Sequence, residues 1–554
     1  MRGRHVFMDS LVAHGVDHIF GNPGTTESPL LDTLADYPSV KYVVALHEGV
    51  ALGAASFHTQ ATGRPAVVNL HVAPGLGNGL GMMYSALKAN SPLVVTAGQQ
   101  DTRMRLRDPL LGHDLVAMAA PVTKWSVQVE CADEMAAIMR RAFKIATDAP
   151  AGPVFVALPI DVMEQETANG AIGPGDSYRA PQPDPAGVGQ AVMRMLGARA
   201  PVIVAGDDIA RSGAHAELVS LAETLGAPVW VEGLRHQTVF PNRHPNARGA
   251  VPFDAAAIRK ALGDADLVIL VGGPFFEEVW FAAGSPIPDG AQIVQIEDSA
   301  QRLGFNFKAD VGLVGGMKRS LSACREAARK LGGDGLAAVA AQRNAALAAI
   351  HAAEAEAHAE RTKKSWNRTP ISMARAMAEI AAALPANAVV VDESITANLD
   401  LARAFDFKAP GDYFSGRGGG IGQGLAGALG TQTAFPGRPV VCISGDGSAM
   451  YSIQALWTAA HHALPIVFVI LANREYRVLK HNLDTYRQRF GVQSNNGYPN
   501  MDLTGPVMDF VDLARGMGVA GTHVTKGDDL RAAVEAAFGN GKPHLIEVEI
   551  EGKL

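Results

Sequence analysis

Residues 440–450 read VVCISGDGSAM, and residues 465–476 read PIVFVILANREY. Each is an apolar, β-branched run of strand length that stops at polar residues, and a helical pattern lies between them. Two such runs read as buried neighbouring strands of a parallel α/β sheet, with both carboxyl ends on one edge. That edge would bring Asp446 and Asn473, 27 positions apart, together as oxygen donors for a hard cation. Mg²⁺ is held in this way, by one or two protein oxygens and by phosphate oxygens. The turn Gly445-Asp446-Gly447-Ser448 opens the intervening helix, whose first amides face an anion. The pattern therefore predicts a metal-bridged diphosphate.

A second polar strand end lies far upstream, in VKYVVALHEGVALGAASFHTQATGRPAVVNLH at residues 40–71. Glu48 follows a strand there and opens a helix of small residues. A carboxylate among Ala and Gly is costly to bury without a task. Gly-Asp-Gly, a spacer of this length and Asn, with a glutamate so placed in an earlier domain, resemble the thiamine-diphosphate-dependent 2-oxo acid decarboxylase and carboligase family. GNPGTTESPLL (21–31), NLHVAPGLGNGLG (69–81), SPLVVTAGQQ (91–100), VTKWS (122–126) and GDGSAMYSIQALWTAA (445–460) most resemble its benzoylformate-decarboxylase branch.

Strands alternate with helical stretches throughout, the pattern of open α/β sheets. With the resemblance this implies an α/β fold of three doubly wound parallel-sheet domains. A pyrimidine-binding domain takes residues 1–163, a middle domain 187–331 and a diphosphate-binding domain 369–554. A linker rich in Gly, Pro and Asp fills about 164–186. An Ala-rich charged stretch, DGLAAVAAQRNAALAAIHAAEAEAHAERTKK, reads as a surface helix and connector. The resemblance further implies that the first and third domains are related sheets binding opposite ends of the cofactor.

It also implies roles residue by residue. Glu48 protonates the aminopyrimidine ring. Asp446, Asn473 and the backbone carbonyl of Glu475 hold Mg²⁺. Asn78, Gly419, Gly420, Ile421, Gly445, Gly447, Ser448 and Tyr476 bind thiamine diphosphate, with Ile421 wedging it into a bent shape. His71, at a strand end, handles protons, work that suits a side chain titrating near neutrality. Thr25 stands where relatives carry a serine that contacts the substrate carboxylate; its extra methyl narrows the pocket. His47 and His113 are weaker candidates, each as readily a packing or surface residue.

Two departures from that branch matter. Val279 replaces a second catalytic histidine, with Phe275, Phe276 and Trp280 as its neighbours. This predicts an apolar pocket and a lean toward carboligation. Arg474 and Arg477 stand where relatives often have Asn and Gly. They read as surface charges, or one of them as a partner for an acidic group on the substrate or the diphosphate.

Composition agrees. With 554 residues, 48% hydrophobic and 19% charged, the chain can build about three cores, and a net charge of −7 suggests neither nucleic acid nor a membrane surface. No apolar run reaches the ~18 residues of a membrane span, and the start lacks a signal-peptide block. The three cysteines, Cys131, Cys324 and Cys442, are widely separated, which suits a reduced, cytoplasmic setting. The expected activity is thiamine-diphosphate-dependent, non-oxidative decarboxylation of a benzoylformate-like 2-oxo acid to an aldehyde. Its partners are a small-molecule 2-oxo acid or aldehyde and a second copy of the chain, as a homodimer or homotetramer. The alternative is a carboligase of acetolactate-synthase or 2-hydroxyacyl-lyase type. FAD occurs in some relatives, but nothing in AGDDIARSGAHAE (205–217) demands it. A rival of another class is a nicotinamide-dependent dehydrogenase. Gly418-Gly419-Gly420-Ile421-Gly422-Gln423-Gly424 looks like a dinucleotide loop with Asp446 as its acid, although DYFSGR makes a poor strand before it.

Overall fold

The apolar runs become strands in three parallel sheets. The computed structural model describes residues 1–175 and 180–552, so residues 176–179 of the expected linker lie outside it, as do the last two residues. The first sheet contains β1 (His18–Gly21), β2 (Lys41–Val44), β3 (Ala66–Leu70), β4 (Leu93–Gln99), β5 (Ser126–Gln128) and β6 (Val154–Pro159). The middle sheet contains β7 (Pro201–Ala205), β8 (Val229–Val231), β9 (Ala247–Ala250), β10 (Leu267–Val271), β11 (Gln292–Glu297) and β12 (Val311–Val314). The third contains β13 (Val389–Glu393), β14 (Tyr413–Ser415), β15 (Val440–Gly445), β16 (Ile466–Ala472), β17 (Ala520–Val524) and β18 (His544–Glu549).

The first sheet runs β2-β1-β3-β4-β6-β5 and the third β14-β13-β15-β16-β18-β17, the same order at the same positions. In each the strand order reverses between its second and third strands, β1 and β3 or β13 and β15. In open α/β sheets ligands bind outside the carboxyl ends of the strands at such a switch. The middle sheet runs β12-β11-β10-β7-β8-β9, the dinucleotide-domain order, with its switch between β7 and β10. All seven residues of β16 and all six of β6 are buried, which explains why these strands read as unbroken apolar runs. DYFSGR does form a strand, the short β14 at the sheet margin, where a ladder is needed on one side only.

The chain divides into two units. Met1–Asp176, Lys364–Phe405 and Ser415–Leu554 form one; Ser177–Lys363 and Asp406–Phe414 form the other. Inside the first unit, the helix Glu48–Thr62 packs on the helix Gln423–Ala434 through small residues. A Cβ at Gly53 would lie 2.8 Å from Ala426 Cβ, and one at Gly427 2.6 Å from the Phe57 ring. The Ala/Gly composition that buries Glu48 is thus what lets the two backbones approach. Inside the second unit, the Ala-rich stretch is helical within Met317–Ser365 and breaks at Gly333, φ 49°. Among the described residues no helix is long and apolar enough to cross a membrane.

Candidate active site

β1 ends at Gly21, and the chain turns through Asn22–Gly24 into a single 3₁₀ turn, Thr25–Glu27. Thr25 is exposed, while Thr26 and Glu27 are buried. Glu27 Oε1 accepts from Gly98 N and Thr26 Oγ1, each at 2.8 Å, and Oε2 accepts from Gly24 N at 2.8 Å. The same Oε2 lies 2.8 Å from His71 Nδ1, at the end of β3. A carboxylate whose other contacts are all donors accepts from Nδ1–H, which leaves Nε2 as the unprotonated ring nitrogen. A Cβ at Gly24 would run into the His71 ring, so glycine is required there. Glu27 escaped the sequence reading. Its one signal was an acid three residues after a turn glycine, where it caps the 3₁₀ turn.

Glu48 is the first residue of its helix and 5% exposed. Its Oε1 accepts from Asn22 Nδ2 at 3.2 Å and its Oε2 from Asn78 Nδ2 at 3.1 Å. Asn78, expected to touch cofactor, therefore meets Glu48 directly. Gly75 and Gly79 lie against Glu48, in the helix Val72–Lys88 that packs on this carboxylate. His47 caps the Glu48 helix, its Nδ1 accepting from Gly49 N at 3.0 Å, and His113 is exposed.

The other carboxyl edge belongs to β15 and β16, which pair in register from Val440↔Ile466 to Gly445↔Leu471. Asp446, 3% exposed, follows β15, and Asn473 follows β16. Asp446 Oδ1 accepts from Gly447 N at 2.8 Å and Oδ2 from Arg474 N at 2.7 Å; Asn473 Oδ1 accepts from Glu475 N at 3.0 Å. Each oxygen keeps a second lone pair. Burial raises the Asp446 pKa, partly offset by these amides. With the Glu475 carbonyl, the donors offered are all oxygen, the set Mg²⁺ takes. A Cβ on Gly445 would meet nothing within 4 Å, and the same holds at Gly419. Gly447, by contrast, sits under the Tyr476 ring. The residues fit a metal-bound diphosphate, with open space where it would lie. Arg474 is neither a surface charge nor a diphosphate partner: its guanidinium pairs with buried Glu547 and donates to Met508 O at 2.7 Å. Arg477 donates to the backbone oxygen of Glu551 at 3.3 Å.

Three non-glycine residues just past these strand ends have left-handed backbones: Val72 at φ 35°, Arg474 at φ 60° and Ile395 at φ 46°. Such strain collects at functional edges. No sequence pattern announced it.

Glu393, the last residue of β13, is 6% exposed and also escaped the sequence reading. Its carboxylate accepts from Gly422 N at 2.7 Å, Gln423 N at 2.9 Å and Gly424 N at 2.8 Å. Burial pushes its pKa up to about 7, with the three amides working the other way. This disposes of the dinucleotide reading, because the amides that would hold a pyrophosphate already hold Glu393. Moreover, the strands flanking β15 are β13 and β16, so the segment before the glycine turn is not the neighbour of the strand that ends at Asp446.

The residues 1–118, 188–324 and 395–548 match models of the thiamine pyrophosphate enzyme N-terminal TPP-binding, central and C-terminal TPP-binding domains. The chain is 34% identical to benzoylformate decarboxylase of Pseudomonas aeruginosa, over 97% of this chain and 96% of that one. It belongs to the thiamine-diphosphate-dependent 2-oxo acid decarboxylase family. Acetolactate synthase isozyme 3 large subunit of Escherichia coli is 26% identical over 100% of this chain and 95% of that one. A 4-hydroxybenzoylformate decarboxylase structure from Rhodococcus jostii RHA1 superposes with TM-score 0.85 at 29% identity, covering both chains fully. The protein is thus a thiamine-diphosphate-dependent carboxy-lyase acting on a small molecule.

Within that family one expectation changes. Phe275 and Phe276 do not line a pocket with Val279. They are 5% and 7% exposed in the core of the middle unit, while Val279 is 63% exposed. Glu278 caps the Ala255–Leu262 helix through Ala255 N at 2.9 Å. The apolar run after β10 therefore turns inward at the phenylalanines and outward at Val279. At the middle sheet's switch an arginine ties the chain after β7 to the chain after β10. Arg302 donates to Gly273 O at 2.7 Å and pairs with buried Asp208 and with Asp298.

Proposed function

We propose that this carboxy-lyase decarboxylates a benzoylformate-like 2-oxo acid to the aldehyde, using Mg²⁺. The observation that carries this reading is the Glu27–His71 pair beside Glu48 on one sheet edge. Bound thiamine diphosphate supplies a carbon nucleophile and an electron sink for the departing carboxylate. Asp446, Asn473 and the Glu475 carbonyl would hold the metal that bridges its diphosphate. Gly445, Gly447 and Ser448 would lie at that end, with Tyr476 over Gly447. Gly419, Gly420 and Ile421 would face the aminopyrimidine.

Glu48 exchanges a proton with a ring nitrogen of the pyrimidine, its carboxylate aimed by Asn22 and Asn78. Small residues around it keep water out. His71, fixed by Glu27 as the Nδ1–H tautomer, presents Nε2 to take or give a proton at the substrate's carbonyl. Thr25 offers its hydroxyl to the substrate carboxylate. Exposed apolar residues on the unit that carries the site support a homodimer or homotetramer, placed in the cytoplasm.

The similarity to acetolactate synthase large subunits supports a second reading, a carboligase in which attack on a second carbonyl replaces protonation at the product-forming step. A panel of aromatic and aliphatic 2-oxo acids with thiamine diphosphate and Mg²⁺, scored for carbon dioxide, aldehyde and 2-hydroxy ketone, decides between them. Aldehyde from aromatic acids is expected. Hydroxy ketone as the sole product would replace the decarboxylase reading with the carboligase one.

A further inference from the structure

We propose that Glu393 is the positioning residue of the Gly418–Gly424 turn, setting the backbone that meets the cofactor's aminopyrimidine. The inference rests on the reading of that turn given above. Gly418, Gly419 and Gly422 have φ of 79°, 74° and 92°, conformations glycine adopts freely but also leaves freely. Something must remove that freedom before the turn can present a fixed surface.

Two side chains do so. Glu393 takes the amides of Gly422, Gln423 and Gly424, as described. The side chain of Gln423 then folds back, donating from Nε2 to Arg417 O at 2.9 Å and Gly420 O at 2.6 Å. Its Oε1 accepts from Arg417 N at 3.3 Å. Glu393 thus fixes the backbone of Gln423, and Gln423 fixes the rest of the turn. A Cβ at Gly424 would lie 2.8 Å from Glu393 Cβ, so the contact also requires glycine there.

A helix cap that served only stability would come from the residue just before the helix. Glu393 comes instead from the end of β13, 29 to 31 residues upstream. A remote cap stabilises the helix and also determines where its first turn stands relative to the strand edge. With three amides bound, Glu393 has little left to offer a substrate, so it acts through the turn.

The test compares E393Q with wild type, with E393D and G419A as references. A glutamine must point its NH₂ at one of the three amides, so at least one bond is lost. In the cofactor-free protein, hydrogen exchange of the Gly422–Gly424 amides is expected to rise about 10- to 100-fold in E393Q, with the sheet amides unchanged. Thiamine diphosphate affinity, followed by protein fluorescence at saturating Mg²⁺, is expected to weaken about tenfold or more. E393D should fall between. Unchanged exchange and unchanged affinity in E393Q would overturn the proposal, as would a lower melting temperature with unaltered affinity. If G419A weakens binding while E393Q does not, only the role of Glu393 fails. If neither moves affinity, the assignment of the turn to the cofactor fails with it. Should E393Q not fold, wild-type affinity in E393D, whose oxygens no longer reach all three amides, overturns the proposal. None of these readouts depends on which 2-oxo acid is the substrate.

Discussion

A histidine is a useful acid or base only when its tautomer is fixed, and at His71 a buried glutamate does the fixing. In E27Q the amide cannot accept from Gly24, Gly98 and Thr26 together and still accept from Nδ1–H. Turnover is expected to fall roughly 10²-fold or more, with thiamine diphosphate affinity nearly unchanged. Steady-state kinetics beside a binding titration check this. E48Q should likewise keep the fold and the cofactor but lose most turnover; a near-normal rate would remove Glu48 from the mechanism. The two variants differ in where the proton is lost, so a pH–rate profile that changes shape in E27Q alone would assign the titrating group to His71. Glu48 and His71 were legible because each is a polar residue closing an apolar run. Glu27 was not, because an acid in GNPGTTESP is indistinguishable from ordinary turn chemistry until β4 brings the amide of Gly98 to it.

Strands and helices carry the site by their ends, so element junctions decide its geometry. Asp446 and Asn473 owe their proximity to the β15–β16 register alone. D446A should abolish retention of thiamine diphosphate at ordinary Mg²⁺ levels, and chelation should do the same to wild type. Cofactor retained through chelation would contradict the metal role. At the opposite end of the first sheet, Asp17 lies 2.8 Å from His18 Nδ1 and 3.0 Å from Arg64 Nη2. It also faces His58, whose Nδ1 is 3.0 Å from Thr433 Oγ1. The His58 imidazole, its Nε2 3.7 Å from Oδ1, helped by His18 and Arg64 and opposed by burial, holds the Asp17 carboxyl below its usual 3.8. A depressed folded-state pKa gives stability that is present above that value and lost as pH falls through it. D17N should therefore melt below wild type at pH 7, by about 2 °C or less for so exposed a group. The gap should begin to narrow only as pH falls below 3.8 and keep closing well below that; a gap that does not shrink at all in strong acid would assign the effect to packing.

Across the whole molecule, the three parallel sheets were legible because buried strands read as unbroken apolar runs. The identical order of the first and third sheets was visible only through the resemblance, since strand order leaves no mark in composition. The outward turn of Val279 and the inward turn of Arg474 were not legible either. Both depend on which neighbour is available, a buried core for the phenylalanines and Glu547 for the guanidinium. Assembly is the last scale. Leu106 and Leu110 are 93% and 84% exposed, Leu46, two residues before Glu48, is 48% exposed, and Tyr451 and Phe490 are 58% and 68% exposed, all on the unit that carries the site. These exposed apolar side chains support the proposed homodimer or homotetramer, in which a second copy would cover them. Sedimentation is expected to give two or four times the chain mass. The double variant L106D/L110D should shift toward monomer and lose turnover while keeping its far-ultraviolet circular dichroism. A monomer that stays fully active at high dilution would show that one chain completes the site alone.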